Sequence, residues 1–272
     1  MDQHTIHEFI DACGDKPATH WRPGDAWISG GTFLHSTPLP ALRRFVDLTT
    51  LGWPSLTVSD GGLEIAATCR VVELHDFEPP SDWAAGPLLR RCVESFLASF
   101  KLWHTQTVGG NICVSLPAGP MITLTAALDA TYLLWLADGS ERTVAAVDFV
   151  TGNNQNILQP GEILRSISIS SEALHRRFAT RRFTLTKHGR SSVFLVGTLD
   201  PASGEFLLTV TAATTHPVHL RFPAVPDAPA LRESIADGIP DEWYFDDPNG
   251  RPDHRKHLTR AFAEQIRTEL SA

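Results

Sequence analysis

No two of the four cysteines, Cys13, Cys69, Cys92 and Cys113, form a C-x-x-C pair. An iron–sulfur cluster held by this chain alone is therefore not expected, and the thiols read as reduced side chains of a cytoplasmic protein. Long basic runs are absent too, and 31 acidic residues outweigh 23 basic ones for a net charge of -8. That balance argues against nucleic acid or an anionic membrane surface as a partner. The most apolar short run, "TYLLWLA" (131–137), is far too short to cross a bilayer. The acidic start, "MDQHTIHEFIDACGD", has neither the basic nor the apolar region of a signal peptide. The chain also lacks a G-x-S-x-G elbow, an H-E-x-x-H helix, a Walker sequence and a G-x-G-x-x-G followed by a well-spaced acid. Of three H-x-x-H pairs, His4/His7, His216/His219 and His254/His257, only the last falls on a convincing helical pattern. No metal site is expected, the histidines reading as solvated or capping residues, and no side chain is nominated as a catalytic acid, base or nucleophile. Cys113 sits among apolar neighbours, which disfavour a thiolate.

What is present is enough apolar material for a sizeable core, 42% of 272 residues. "DAWIS" (25–29) reads as a strand running into glycines, and "LTVSDGGLEIAAT" (56–68) as a hairpin around Asp60-Gly61-Gly62. Apolar residues from Leu88 to Phe100 recur at helical spacing over 86–100. A second hairpin turns at Asp138-Gly139, and "GEILRSISIS" (161–170) alternates as a strand. Beyond residue 170 come two apolar runs with a turn between them, the strand "VHLRF" (218–222), and a helix presenting Leu258, Ala261, Phe262, Ile266 and Leu270. The basic "RRFATRR" (176–182) reads as a solvated face or an edge-strand guard. The pattern is α+β without a βαβ repeat, dividing into residues 1–170 and a smaller α+β unit, 171–272.

Two glycine-rich stretches carry most of the chemical information: "ISGGTFL" (28–34) after a strand, and "TVGGNIC" (107–113) after a helix and connector. Glycine permits positive φ and close approach, and successive N–H groups can hold a phosphate oxygen. Each stretch taken singly reads more readily as a tight turn than as a phosphate site. Together, about 80 residues apart and alike in their polar character, they suit one ligand held from both sides.

In their order, "SGGTFL", "VDLT", "GLEIAAT", "TVGGNICVSLPAGPM", "ALDA", "GSERTV", "DFVTG", "LQPGEIL" and "RKHLTRAFAEQIRTEL" resemble the FAD-binding medium subunits of molybdenum hydroxylases. That family includes the carbon monoxide dehydrogenase flavoprotein and the xanthine dehydrogenase flavin domain. The resemblance spans nearly the whole chain, most specifically residues 26–170. It implies a two-lobed FAD-binding domain of the vanillyl-alcohol oxidase type followed by a small C-terminal α+β domain. It implies that the FAD pyrophosphate is gripped by Ser29, Gly30, Gly31, Thr32, Phe33 and Leu34, and by Thr107, Gly109, Gly110 and Asn111. It further nominates Ile163 and Leu164 as neighbours of the isoalloxazine. An iron–sulfur small subunit and a molybdenum-cofactor large subunit are the implied partners, with electron transfer to an external acceptor as the implied function. The alternative is a free-standing FAD-binding protein or one whose ligand site has degenerated. A third is a flavin oxidase of the vanillyl-alcohol oxidase type. Three positions depart from the family pattern: Pro120 replaces an Asp near the FAD sugar, Trp103-His104 replaces Arg-Asn, and Thr184 falls where a basic residue is common.

Overall fold

A computed structural model describes residues 4–14, 16–187 and 189–272, so residues 1–3 and 15 of the acidic start lie outside the described residues. Three short strands open the chain: β1 (Glu8–Asp11), β2 (Asp25–Ile28) and β3 (Arg44–Asp47). They form a parallel sheet in the order β1-β3-β2. β2 falls on the expected strand. β1 was not anticipated, because all four of its residues are exposed and give no buried alternation.

The middle of the chain builds the largest core. Strands β4 (Leu56–Ser59) and β5 (Gly62–Ala66) are the expected hairpin. Gly62 is required there, since its φ is +123° and a Cβ would lie 2.1 Å from the Ile169 carbonyl oxygen. Helices α1 (Val71–Asp76), α2 (Gly86–Glu94), α3 (Phe100–Trp103), α4 (Val108–Val114) and α5 (Pro120–Ala127) follow. Then come β6 (Thr131–Trp135), β7 (Glu141–Ala145), α6 (Ala146–Phe149), β8 (Val150–Gly152), β9 (Gln155–Asn156) and β10 (Ile163–Ser170). The antiparallel sheet β4-β5-β10-β6-β7 packs Leu63, Ile65, Tyr132, Leu134 and Ile167 against Leu88, Leu89, Ile112, Met121 and Leu124 of the helices. The helix expected over 86–100 stops at Glu94. The Ser95 hydroxyl folds back onto the Cys92 carbonyl at 2.7 Å, and the Ser95 carbonyl is taken by Arg182 at 3.1 Å.

The remaining residues form α7 (Ser171–His175), β11 (Arg177–Thr184), β12 (Ser191–Leu199), β13 (Phe206–Thr211), β14 (Val218–Phe222), α8 (Ala228–Gly238) and α9 (Pro252–Ser271). β11 to β14 make an antiparallel meander whose edge strand β11 carries the basic cluster. β12 is buried on both faces: Phe194 and Val196 join the central core, while Val193 and Leu195 join a second core under α8 and α9. The buried face of α9 is Arg255, Thr259, Ala263, Ile266 and Leu270. It is rotated from the expected stripe, leaving Leu258 and Phe262 at the edge of that core. Among the described residues, no helix is long and apolar enough to cross a membrane.

A charged network joins the middle of the chain to the last sheet. Asp129 accepts from Arg176 at 2.9 Å and from Arg221 at 3.0 Å, and Nε2 of His219 lies 2.9 Å from the Ala126 carbonyl oxygen. His219 is largely covered and meets a carbonyl in the last turn of α5, the capping rather than the solvated histidine of the expectation, and burial outweighs Asp129 to lower its pKa below 6.5. The stability it contributes as a neutral ring is present above pH 6.5 and is lost as pH falls below that value towards its folded pKa. Burial raises the Asp129 pKa, but its arginine partners outweigh burial and hold it below 3.8. Its contribution is present above pH 3.8 and disappears as pH falls through the lower folded value. Melting temperature should therefore fall in two stages on acidification, and His219→Gln should diminish the first, to which His216, also lowered by burial, contributes. An unchanged first stage in that variant would dismiss His219 as its source.

Candidate functional site

The first glycine stretch leaves β2 at Ile28 and closes one helical turn, with the His35 N–H donating to the Gly31 carbonyl at 2.9 Å. Gly31 has φ +67°, and a Cβ there would meet both the His35 ring and Ile28 at 3.0 Å. Among the described residues nothing accepts the N–H groups of Gly31, Thr32 or Phe33. Successive free N–H groups of this kind form an anion-binding concavity.

The second stretch is a helix start rather than a loop. Thr107 caps α4, its hydroxyl oxygen accepting the Gly110 N–H at 3.1 Å. The Val108 N–H donates to the Cys69 carbonyl at 2.8 Å and the Gly109 N–H to the Ala67 carbonyl at 2.9 Å. These donors are consumed within the chain. Asn111 also has a structural duty, its side-chain oxygen accepting the Met121 N–H at 3.0 Å and so capping α5. Pro120 is the buried first residue of α5, a position where proline's missing N–H costs nothing.

The first stretch packs on Thr105 and Gln106, the two residues that lead into the second, and two of the glycines face protein. A Cβ on Gly30 would lie 2.0 Å from the Thr105 carbonyl oxygen, and one on Gly109 would lie 2.5 Å from the Ala67 Cβ. Gly110 differs, with only its own capping Thr107 hydroxyl nearby, at 2.8 Å. The space beside Gly109 is thus filled by Ala67, which corrects the expectation that a ligand accounts for that missing side chain. At this junction Ser29 Oγ and Gln106 Oε1 are buried without a hydrogen-bond partner. Thr105 and Gln106 carry no motif; only the folded chain brings them here.

Ile163 and Leu164 begin β10 with side chains in cores, Ile163 among Ala12, Ala18, Val46 and Leu48, and Leu164 in the central one. A cavity of about 560 Å³ instead lies between the residues after α2 and the β11–β12 connection, lined by Phe96, Leu97, Leu102, Arg182 and Lys187 among others. Leu97 is 58% exposed and Phe100 67%, because the helix that would have carried them ends at Glu94. Arg182 is held by the Ser191 hydroxyl at 2.7 Å and by backbone carbonyls. Cys113 is inert as a nucleophile, burial pushing its thiol up to about 12.

A family model described as the FAD binding domain in molybdopterin dehydrogenase matches residues 22–171. The xanthine dehydrogenase of Oryza sativa subsp. japonica is 28% identical over 120 residues, 42% of this chain and 9% of that protein, so the chain spans less than a tenth of that relative. The fold is similar to quinoline 2-oxidoreductase from Pseudomonas putida 86, with a TM-score of 0.79 at 19% identity over 96% of this chain and 95% of that one. It is equally similar to CO dehydrogenase from Oligotropha carboxidovorans, with a TM-score of 0.79 at 20% identity over 98% and 99%. At these identities the likeness to solved structures is one of fold. The family match covers more than half of the residues, and the chain belongs to the FAD-binding domain family of molybdopterin dehydrogenases, an oxidoreductase family with FAD as its cofactor.

Proposed function

We propose that this chain is the flavoprotein subunit of a molybdenum hydroxylase complex, receiving electrons from iron–sulfur clusters on a partner and delivering them to an external acceptor. When bound, FAD supplies the one- and two-electron chemistry, and the chain supplies position and electrostatics. The observation that carries this reading is the packing of the first glycine-rich stretch on Thr105 and Gln106, which lead into the second, with unpaired N–H groups on the first stretch and orphaned polar atoms on Ser29 and Gln106. Those residues fit an anionic dinucleotide. Gly31, Thr32 and Phe33 would donate to the diphosphate, Ser29 and Gln106 would gain partners, and Gly110 would admit the ligand past α4. The same proposal keeps Ile163 and Leu164 at the start of β10 beside the isoalloxazine, and the cavity near Leu97 and Leu102 offers a second apolar surface.

The proposed division is an FAD-binding part, residues 1–170, with two lobes of the vanillyl-alcohol oxidase type, and a C-terminal α+β part, residues 171–272. The separate core beneath α8 and α9 supports it. A cytoplasmic location is part of the same proposal, supported by the unpaired cysteines. The exposed apolar rim of the cavity suits contact with an iron–sulfur small subunit, the molybdenum-cofactor large subunit lying beyond it.

A visible spectrum of freshly purified protein, followed by acid release and chromatography, should yield FAD. FMN as the sole flavin would sink the dinucleotide reading. Co-expression with neighbouring gene products should recover an iron–sulfur partner, and no complex at micromolar concentration would favour a free-standing flavoprotein. Gly110→Val should exclude the ligand from the open side of α4. Losing one charge-assisted hydrogen bond, worth about 1.5–3 kcal/mol, weakens binding roughly tenfold to a hundredfold. Unchanged FAD affinity in that variant would reduce the second stretch to a helix cap.

A further inference from the structure

Ser29 Oγ in the first glycine stretch and Trp27 Nε1 just before it are buried without a hydrogen-bond partner, as are Arg165 Nη1 and Trp135 Nε1, and Trp135 packs on the same small core as Trp27. Indole and guanidinium nitrogens only donate, and the serine hydroxyl can donate as well. Each of the two indoles and the guanidinium therefore lacks an acceptor.

Arg165 is presented in an unusual way. Along β10 and β6 the register runs Ile163↔Trp135, Leu164↔Leu134 and then Ser166↔Leu133, leaving Arg165 as the extra residue of a bulge. Bulges re-aim side chains at strand ends. The guanidinium carbon lies 4.2 Å from the centre of the Trp53 ring and 5.7 Å from that of Trp135. The two indoles meet edge-on at 5.4 Å. Such stacking fixes the guanidinium plane without using its N–H groups. Glu64 and Glu141 influence it only through space, and burial is the larger effect.

The place also fits. β5 ends, β6 ends and β10 begins at one end of the five-stranded sheet. The Arg165 carbonyl accepts the Ala67 N–H at 3.1 Å, and the Ala67 carbonyl accepts the Gly109 N–H. Arg165 is thus two hydrogen bonds from the second glycine stretch, and Trp27 stands two residues before Ser29. Neither residues 29–34 nor 107–111 contain a lysine or arginine, and the first donors of α4 are consumed internally.

We propose that Arg165, stacked on Trp53 beside Trp135, is the cation that binds the diphosphate of the nucleotide, with Trp27, Trp135 and Ser29 donating to further acceptors of the same ligand. This inference rests on the FAD reading. It is tested by titrating apo-protein with FAD and, as a probe of the nucleotide half, with ADP, for the parent, Arg165→Lys and Arg165→Met. Arg165→Met should weaken both ligands alike, roughly tenfold to a hundredfold, and flatten the salt dependence of binding. Arg165→Lys should recover only part of the loss, because a point charge does not reproduce a stacked planar fork. The melting temperature of apo Arg165→Met should hold or rise, since an unpartnered buried donor is removed. Parent affinity for both ligands in Arg165→Met, or an apo melting temperature that falls with affinity, would overturn the assignment and leave Arg165 a packing residue. A parent that binds FAD while Arg165→Met binds it equally overturns this inference alone. A parent that binds no FAD overturns the functional reading and this inference with it.

Discussion

Gly30→Ala is expected to destabilise the apo-protein by about 3 kcal/mol, at the upper end of the cost of forcing a methyl group into packed structure. The added carbon would lie 2.0 Å from the Thr105 carbonyl oxygen and 2.9 Å from its carbonyl carbon. Both are backbone atoms, so no rotamer change relieves the overlap; the first glycine stretch must lift off residues 105–106. That movement would also part the first stretch from the residues leading into the second, and FAD affinity should fall with stability. Gly109→Ala should behave similarly, because Ala67 offers its Cβ, carbonyl oxygen and Cα all within 2.8 Å. Gly110→Ala supplies the contrast. Its only crowded neighbour is the Thr107 hydroxyl, and the loss of that cap, about 1 kcal/mol, is offset by alanine's helix propensity of similar size. Urea midpoints of the three apo variants decide the matter. A parent-like midpoint for Gly30→Ala would mean that the first stretch is not held against residues 105–106 by this approach.

This ordering explains which parts of the molecule were legible in the sequence. Period-two alternation around Asp60-Gly61 and Asp138-Gly139 located both hairpins, and the strand at 163–170 was equally plain. These are local signals. Helix α5 had none, because Met121, Ile122, Thr123, Leu124, Thr125, Ala126 and Ala127 are all buried and leave no polar face to set a period. Its two threonines survive burial by bonding internally, Thr125 to the Met121 carbonyl at 2.7 Å and Thr123 to Thr211 at 2.7 Å. The second glycine stretch read as a loop because paired glycines disfavour helix. Tertiary contact reverses that preference: only glycine lets α4 start against Ala67.

The candidate site divides along the same line. Composition picked out residues 29–34 and 107–111, since glycine, serine and threonine clusters are visible without a fold. It could not show that Gly30 and Gly109 serve the chain's own backbone while Gly110 faces open space. Nor could it find Gln106 or Arg165, whose neighbourhoods are made by strands far apart in sequence.

Arg255→Met is expected to cost about 3–5 kcal/mol, the range for removing one partner of a buried ion pair. Arg255 is 1% exposed, the bulkiest of the fully buried side chains. Its Nε donates to the Gly250 carbonyl at 2.9 Å and its Nη1 to the Ser192 carbonyl at 2.6 Å. Further bonds reach the Ala212 carbonyl and the Asp247 carboxylate, and Phe245 stacks beneath at 5.5 Å. Ala212 holds φ +60°, unfavourable for a residue with a Cβ, and its N–H donates to the Pro117 carbonyl at 3.0 Å, three residues before α5 begins. One side chain of α9 thus fixes a strained residue that ties β13 to the end of the glycine-rich region. Methionine would fill much of the volume but leave three carbonyls and a carboxylate without their donor. Arg255→Lys should rescue little, since one ammonium group lacks the fork that reaches all four acceptors. The loss should appear as a lower denaturation midpoint in the apo-protein. Saturating FAD should then raise the midpoint of parent and variant by equal free energies, because ligand stabilisation depends only on concentration and affinity. A smaller rise in the variant would mean that Arg255 shapes the flavin site itself, through Ala212 and Pro117, and that the two ends of this network are coupled.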